Sequence, residues 1–227
     1  LTLILAATPS LGIGRAGALP WTSLKGDMAF FARVTKRVLP PASTSTSTST
    51  STSAAASSSP RRTQNAVIMG RKTWDSIPPR FRPLAGRINV VVSRAGVVAG
   101  LEEARGKERV LVVGGLGEAV RQLQSGAIKD DDGDGGEVRV GRVFVIGGAS
   151  LYNQALAMEG ARRVLLTKVG REFECDAFFG VDLEGEGARG RGWVRRSRGE
   201  LEEWVGESVG EGREEGGVPF EFCLFER

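Results

Sequence analysis

The stretch Val143-Phe144-Val145-Ile146-Gly147-Gly148-Ala149-Ser150-Leu151-Tyr152 joins four apolar residues to a diglycine and then to a helical pattern. A short, continuous apolar run of this kind reads as a strand buried on both faces. Because the chain enters a helix directly after the glycines, the first helical N–H groups face the carboxyl end of that strand. Such a helix start is an anion site by geometry. Taken singly, the motif also fits tight strand–helix packing with no ligand, and Val113-Gly114-Gly115-Leu116 repeats it.

The surrounding segments decide between these readings. Ala66 to Met69 is a strand that runs into Gly70-Arg71-Lys72-Thr73-Trp74, and Arg87 to Val92 is another that runs into Ser93-Arg94. With Leu1 to Ala7, Val110 to Val113 and Arg163 to Val169, they form a series of β-branched runs alternating with helical patterns, the mark of a parallel α/β sheet. Phe220 to Phe225 alternates at period two, as a closing antiparallel strand would. Cations and hydroxyls just past several strand ends suit an elongated, phosphate-bearing ligand.

Gly12-Ile13-Gly14-Arg15-Ala16-Gly17 matches the G-x-G-x-x-G pattern letter for letter. A dinucleotide turn needs a helix opened by its last glycine and an acid about twenty residues on. Here Ala18-Leu19-Pro20 comes next, and Lys36 and Arg37 occupy the acid's place. A mobile Gly-rich loop is the better expectation. Asp130-Asp131-Asp132-Gly133-Asp134-Gly135 begins like a calcium loop, but the twelfth position is Gly141, so an acidic surface loop at 129–137 and no metal are expected.

Asp27 is an anomaly on the predicted helix Leu24 to Arg37. It shares a face with Phe30, Phe31 and Val34, where an acid is costly without a partner. The ordinary alternative is a capping or solvated acid. After Pro40-Pro41, eleven alternating Ser and Thr residues from Ser43 to Ser53 lack an apolar face, and a disordered insertion at 41–62 is expected.

Composition narrows the chemistry. The 227 residues fit one domain with insertions. With no His, Ser-His-Asp and Cys-His catalysis are excluded, and acid–base work falls to carboxylates, Tyr, Lys or water. Cys175 and Cys223 lack metal-ligand spacing, so a reducing compartment is the default. The charge of +4 and pI near 9.4 suit anionic small molecules as well as nucleic acid, because the basic residues are scattered. No apolar run approaches the ~20 residues of a membrane span. An upstream targeting segment is left open, since the sequence does not begin with Met.

In order, LTLILAATPSLGIGRAGALPW, KGDMAFF, VIMGRKTWDSIPPRFRPLAGRINVVVSR, VFVIGGASLY, LLTKV and FECDAFF resemble dihydrofolate reductase, with Met28 and Phe30-Phe31 in a fungal-type context. That resemblance implies a three-layer α/β/α fold around a mixed, mostly parallel eight-stranded sheet, in one domain over 1–227. It also implies NADPH-dependent reduction of 7,8-dihydrofolate to tetrahydrofolate, supplying one-carbon metabolism. Since NADPH supplies the hydride, a chain without His can complete the reaction.

By the same resemblance, Asp27 would bond the pterin amidine edge and, with water, assist protonation; Thr167 would support it; Trp21 would hold that water; Leu19 would pack near the nicotinamide. Ile4, Leu5, Met28, Phe31, Ile77, Leu84, Ile146 and Tyr152 would line the substrate pocket, and Arg87 would clamp the glutamate carboxylate. For the cofactor, Ala6, Ile13, Gly14 and Gly17 would border the nicotinamide half. Gly147, Gly148, Ala149, Ser150 and Leu151 would take the pyrophosphate beside Gly70 and Thr73, and Arg71, Lys72, Ser93 and Arg94 would hold the ribose phosphate. The family's diglycine carries a cis peptide, and Gly147-Gly148 matches it. Ala18 departs from the polar residue often found before Leu-Pro-Trp.

The expected partners are dihydrofolate and folate analogues, with no nucleic acid required and no membrane, for a monomer in the cytoplasm with a mitochondrial pool allowed. Three alternatives remain: the pyrimidine reductase of riboflavin synthesis, which would not require Asp27 or Arg87 in these contexts; a basic nucleic-acid-binding module; and a reductase-like fold without activity.

Overall fold

The computed structural model describes residues 1–39, 62–104, 106–125, 127–129 and 137–227. The Ser/Thr-rich stretch and the calcium-like run Asp130 to Gly135 lie outside them. The chain order is β1 (Thr2–Ala7), β2 (Gly12–Gly14), α1 (Lys25–Lys36), β3 (Thr63–Gly70), α2 (Arg71–Ser76), β4 (Arg87–Val92), α3 (Leu101–Ala104), β5 (Val110–Val113), α4 (Leu116–Gln124) and β6 (Ala127–Lys129). There follow β7 (Glu137–Val145), α5 (Ala149–Leu156), β8 (Arg163–Val169), β9 (Ala177–Phe178), α6 (Glu186–Arg189), β10 (Val194–Arg195), α7 (Arg198–Val205), β11 (Arg213–Glu215) and β12 (Val218–Glu226).

Eight strands form the central path in the order β10-β12-β8-β1-β7-β3-β4-β5, with β11 and β6 attached to β12 and β7. The six from β8 to β5 are parallel, and β12 runs antiparallel to β8 from Phe220↔Val169 to Glu226↔Arg163. This is the expected mixed, mostly parallel sheet. The ends of β3 and β4 are in register, Gly70↔Val92, as are those of β4 and β5, Val92↔Val113. The Gly-rich and basic loops therefore share one carboxyl edge.

Strand alternation builds two cores, one on each face. Ile4, Phe30, Val67, Trp74, Phe144, Leu201 and Leu224 pack together under α1, α2 and α7. Leu5, Ile68, Val90, Val145, Leu166 and Phe225 pack on the other face with Leu116, Ala119 and Ala155 of α4 and α5. The layering follows from α/β patterning: each helix buries one stripe against a sheet that is apolar on both sides.

Several boundaries depart from expectation. Gly12–Gly14 is a strand paired with β9, and Arg15 and Ala18 exchange backbone hydrogen bonds of 2.9 Å, so the segment is a pinned ribbon. The expected acidic loop at 129–137 has strand at both ends, since Lys129 pairs with Glu137 in the β6–β7 hairpin. Helix α6 and strand β11 lie in Gly- and Glu-rich stretches whose sequence carries no apolar period. The highly charged helix α7 buries only Leu201 and Val205, which leaves a faint apolar period, yet Ser197 and Glu200 form a complete capping box before it.

Candidate active site

Helix α1 presents Asp27 to the sheet because Asp27, Phe30 and Val34 recur on one stripe, and all three are buried. Thr167, on the facing side of β8, donates to Asp27 Oδ1 at 2.7 Å, and Asp27 is only 8% exposed. Burial pushes its carboxyl up to about 6; the Thr167 hydrogen bond opposes that rise and the negative charge of Glu215 adds to it. An acid poised near neutrality beside an apolar cleft is suited to proton work. Phe30 stacks on Phe222 of β12 with centroids 3.9 Å apart, which fixes the helix against the sheet one turn from Asp27.

Trp21 closes one side of this region, packed with Ala6, Leu24, Val169 and Phe220. Its indole nitrogen is buried and has no hydrogen-bond partner among the described residues. A buried donor left unpaired by the protein costs on the order of 1–3 kcal/mol, which suits a group meant for water or ligand. The preceding loop is held by its own backbone and a neighbour: Ala16 N–H donates to Asp176 Oδ2 at 2.7 Å, and Arg15 pairs with Glu174. These bonds need no side chain at Ala18. Leu19 is exposed just after this turn.

Arg87 stands near the other end of α1. Its Nη1 donates to Thr35 Oγ1 at 2.8 Å and its Nε to the Ala85 carbonyl at 3.2 Å, while Nη2 makes no hydrogen bond among the described residues. Desolvation lowers this buried guanidinium to about 10, so it stays cationic at neutral pH. Phe31 lies beneath it, 5.9 Å from the guanidinium carbon to the ring centroid. Ile77, Leu84 and Ile146 pack on the same apolar cluster as Phe31, Ile4 and Phe30, and Phe30 shares the buried stripe of α1 with Asp27. Met28 is half exposed, one turn before Phe31.

Two expected pocket residues lie elsewhere. Leu5 alternates with Ile4 along β1 and packs into the core on the opposite face. Tyr152 belongs to that second core too, and its hydroxyl donates to the Ile4 carbonyl at 2.8 Å. It thus supports the floor from beneath.

At the carboxyl edge, Gly147-Gly148 is cis, and Gly70 N–H donates to the Gly147 carbonyl at 2.8 Å. Gly147 has φ +115, which calls for glycine, and a Cβ there would press on the Tyr152 hydroxyl at 3.2 Å. A Cβ on Gly148 would lie 3.6 Å from Thr73 Oγ1, which places that hydroxyl beside the start of α5. The amides of Ala149 and Ser150 belong to the first turn, where N–H groups have no intrahelical acceptor. This cradle fits a diphosphate.

The basic loops are partly engaged. Arg71 pairs with Asp75 at 2.9 Å, Ser93 donates to the Val97 carbonyl at 3.2 Å, and Lys72 and Arg94 are exposed. An exposed i,i+4 pair such as Arg71–Asp75 is worth little and exchanges readily for a phosphate. Ala6, Ile13, Gly14 and Gly17 lie on β1 and on the ribbon that leads to Trp21. Sequence reasoning misses Glu215, which no local pattern marks.

A cavity of about 760 Å3 lies elsewhere, bordered by Leu166 and Lys168, which alternate with Thr167 and face away from Asp27. On its wall Lys168 pairs with Glu184 at 2.7 Å, and Glu221 pairs with the neighbouring Arg195 at 2.7 Å.

The family model described as dihydrofolate reductase matches residues 60–185. The chain is 35% identical to a Pneumocystis carinii protein named dihydrofolate reductase over 234 residues, covering 100% of this chain and 96% of that one. It is 36% identical to the Cryptococcus neoformans protein of that name over 247 residues, covering 99% and 93%, and 35% identical to that of Sus scrofa over 185 residues, covering 81% of each.

Proposed function

The chain belongs to the dihydrofolate reductase family, so it is an oxidoreductase that reduces dihydrofolate with a nicotinamide cofactor, and we propose that this cofactor is NADPH and that Asp27 is the proton-handling residue. The observation that carries the reading is the buried Asp27–Thr167 pair at 2.7 Å, with the carboxyl raised to about 6.

When bound, NADPH supplies the hydride, and the adjacent ring nitrogen of dihydrofolate takes a proton to give tetrahydrofolate. Asp27 accepts from the pterin's amidine edge and, through water, assists that proton's delivery. Thr167 holds Oδ1, so the free carboxylate oxygen is directed to the substrate. Trp21 offers its unpaired N–H to the same water, and Leu19 covers the nicotinamide. Phe31, Ile77, Leu84 and Ile146 hold the rings by apolar contact and keep water out, with Ile4 as floor and Met28 at the rim. Arg87 turns its remaining N–H groups to the glutamate carboxylate, the planar match for which guanidinium is suited.

Gly147 to Leu151 take the pyrophosphate with Thr73 and Gly70, while Arg71, Lys72, Ser93 and Arg94 supply charge and hydroxyl for the ribose phosphate. That phosphate is what separates NADPH from NADH. We assign the whole chain to one reductase domain that acts as a cytoplasmic monomer on dihydrofolate and folate analogues, without nucleic acid or membrane. Among the described residues no helix is long and apolar enough to cross a membrane.

Cofactor oxidation followed with dihydrofolate, with and without an antifolate, tests the reading. Faster oxidation of NADPH than of NADH, abolished by the antifolate, is the expected result. Oxidation with the riboflavin-pathway pyrimidine, or equal use of NADH, would contradict it.

A further inference from the structure

The start of α1 is held from the far end of the chain. Leu24 precedes the helix and supplies no side-chain cap, so the first N–H groups need acceptors from outside. Gly26 N–H donates to both carboxylate oxygens of Glu215, at 2.8 Å to Oε2 and 3.1 Å to Oε1. Glu215 is the last residue of β11, and Gly216-Gly217 turn the chain back into β12.

Two glycines permit this approach. A Cβ at Gly26 would overlap Glu215 Oε1, and one at Gly216, where φ is +58, would meet Ser23 Cβ at 2.7 Å. The carboxylate also lies at the positive end of the helix dipole. Asp27 is the next residue after the gripped amide. Its other support, Thr167, sits opposite Phe222 on β12, the strand that the same hairpin enters. One strand pair thus fixes Asp27 from two sides.

We propose that Glu215 is a positioning residue for the reduction: gripping the Gly26 N–H from the β11–β12 hairpin, it fixes the first turn of α1 and thereby the Asp27 carboxylate against Thr167. The proposal rests on the role given to Asp27 above. Glu215 also acts by charge. Burial is the main cause of the raised Asp27 carboxyl, and the Glu215 carboxylate adds to it. Among the described residues, the Thr167 hydroxyl on β8 bonds Asp27 and the buried Tyr152 phenol on α5 feels its charge, the Tyr152 pKa being raised by burial and by Asp27. Exposed Lys25 adjoins on α1, and Arg213 of β11 lies over the Phe222 ring.

The test compares Glu215→Gln, Glu215→Ala, Gly26→Ala and Asp27→Asn by KM for dihydrofolate, kcat and the pH profile of turnover. Glu215→Gln keeps an acceptor for the Gly26 N–H but loses the charge, so KM stays within about two-fold while the pH at which turnover falls moves lower. Glu215→Ala shows the same pH shift and raises KM roughly five-fold, the scale of one lost cap. Gly26→Ala reproduces the KM rise and adds nothing to Glu215→Ala, because it displaces the same carboxylate. If Asp27→Asn is impaired while both Glu215 variants keep the wild-type pH profile and KM, the proposal is wrong. An unimpaired Asp27→Asn would overturn the underlying reading instead. Should Glu215→Ala fail to fold, the pH profile of Glu215→Gln decides alone.

Discussion

Burying Asp27, to which the proposed function gives the proton handling, works against the fold once the carboxyl is ionised. Its carboxyl sits at about 6 in the folded protein against 3.8 for an unburied Asp, so the native state binds this proton more tightly than the unfolded chain does. The stability it contributes is therefore full below about pH 4 and is lost as pH rises through about 6. By linkage the loss is at most about 3 kcal/mol. Asp27→Asn carries no such penalty, so urea unfolding is expected to find it more stable than wild type at pH 7.5, with the difference closing toward pH 4. A difference independent of pH would show that the carboxylate is not strained by burial. Arg87 belongs to the same scale. Arg87→Lys keeps the charge but loses the fork, and a rise in dihydrofolate KM of roughly ten-fold or more is expected, with a smaller change in kcat. An unchanged KM would remove the clamp. Asp27 was legible in the sequence because an acid on an apolar stripe is visible in one helix. Glu215 was not, since its meaning depends on a partner 189 residues away.

Among the elements, legibility followed the strength of the local pattern. The strands of the parallel core are continuous β-branched runs, and Arg163–Val169 is found where the sequence places it. The helix expected from Leu24 to Arg37 spans Lys25–Lys36. Short elements held by pairing alone were hidden: β2, β6 and β11 are three residues each and depend on partners distant in sequence or across a hairpin. The G-x-G-x-x-G match misled in the same way, because its meaning depends on whether the last glycine opens a helix. Helix α7 could have been found from its capping box, in which Ser197 accepts from Glu200 N–H and the Glu200 carboxylate accepts from Ser197 N–H. This cap is exposed and closes its hydrogen bonds within its own first turn. Ser197→Ala is expected to cost about 1 kcal/mol in thermal or urea unfolding and to leave kcat unchanged. A loss of kcat at full stability would mean that α7 reaches the chemistry.

At the scale of the whole molecule, the sheet sorts function by edge. The diglycine cradle, the basic loops and the loop that carries Leu19 and Trp21 all come after carboxyl ends of parallel strands, the edge where open α/β sheets bind ligands. The long connection between α1 and β3 leaves the described chain at Leu39 and re-enters at Arg62, just before the amino end of β3, so it joins the sheet at the other edge. The architecture accordingly concentrates its demands on one end of the sheet, with Asp27 at the centre. Turnover of dihydrofolate by Asp27→Asn at pH 7, measured beside its affinity for NADPH, tests this most directly. The account predicts NADPH binding equal to wild type and turnover lower by roughly 100-fold or more, the usual worth of a proton-transfer residue. Near-normal turnover with intact cofactor binding would contradict it.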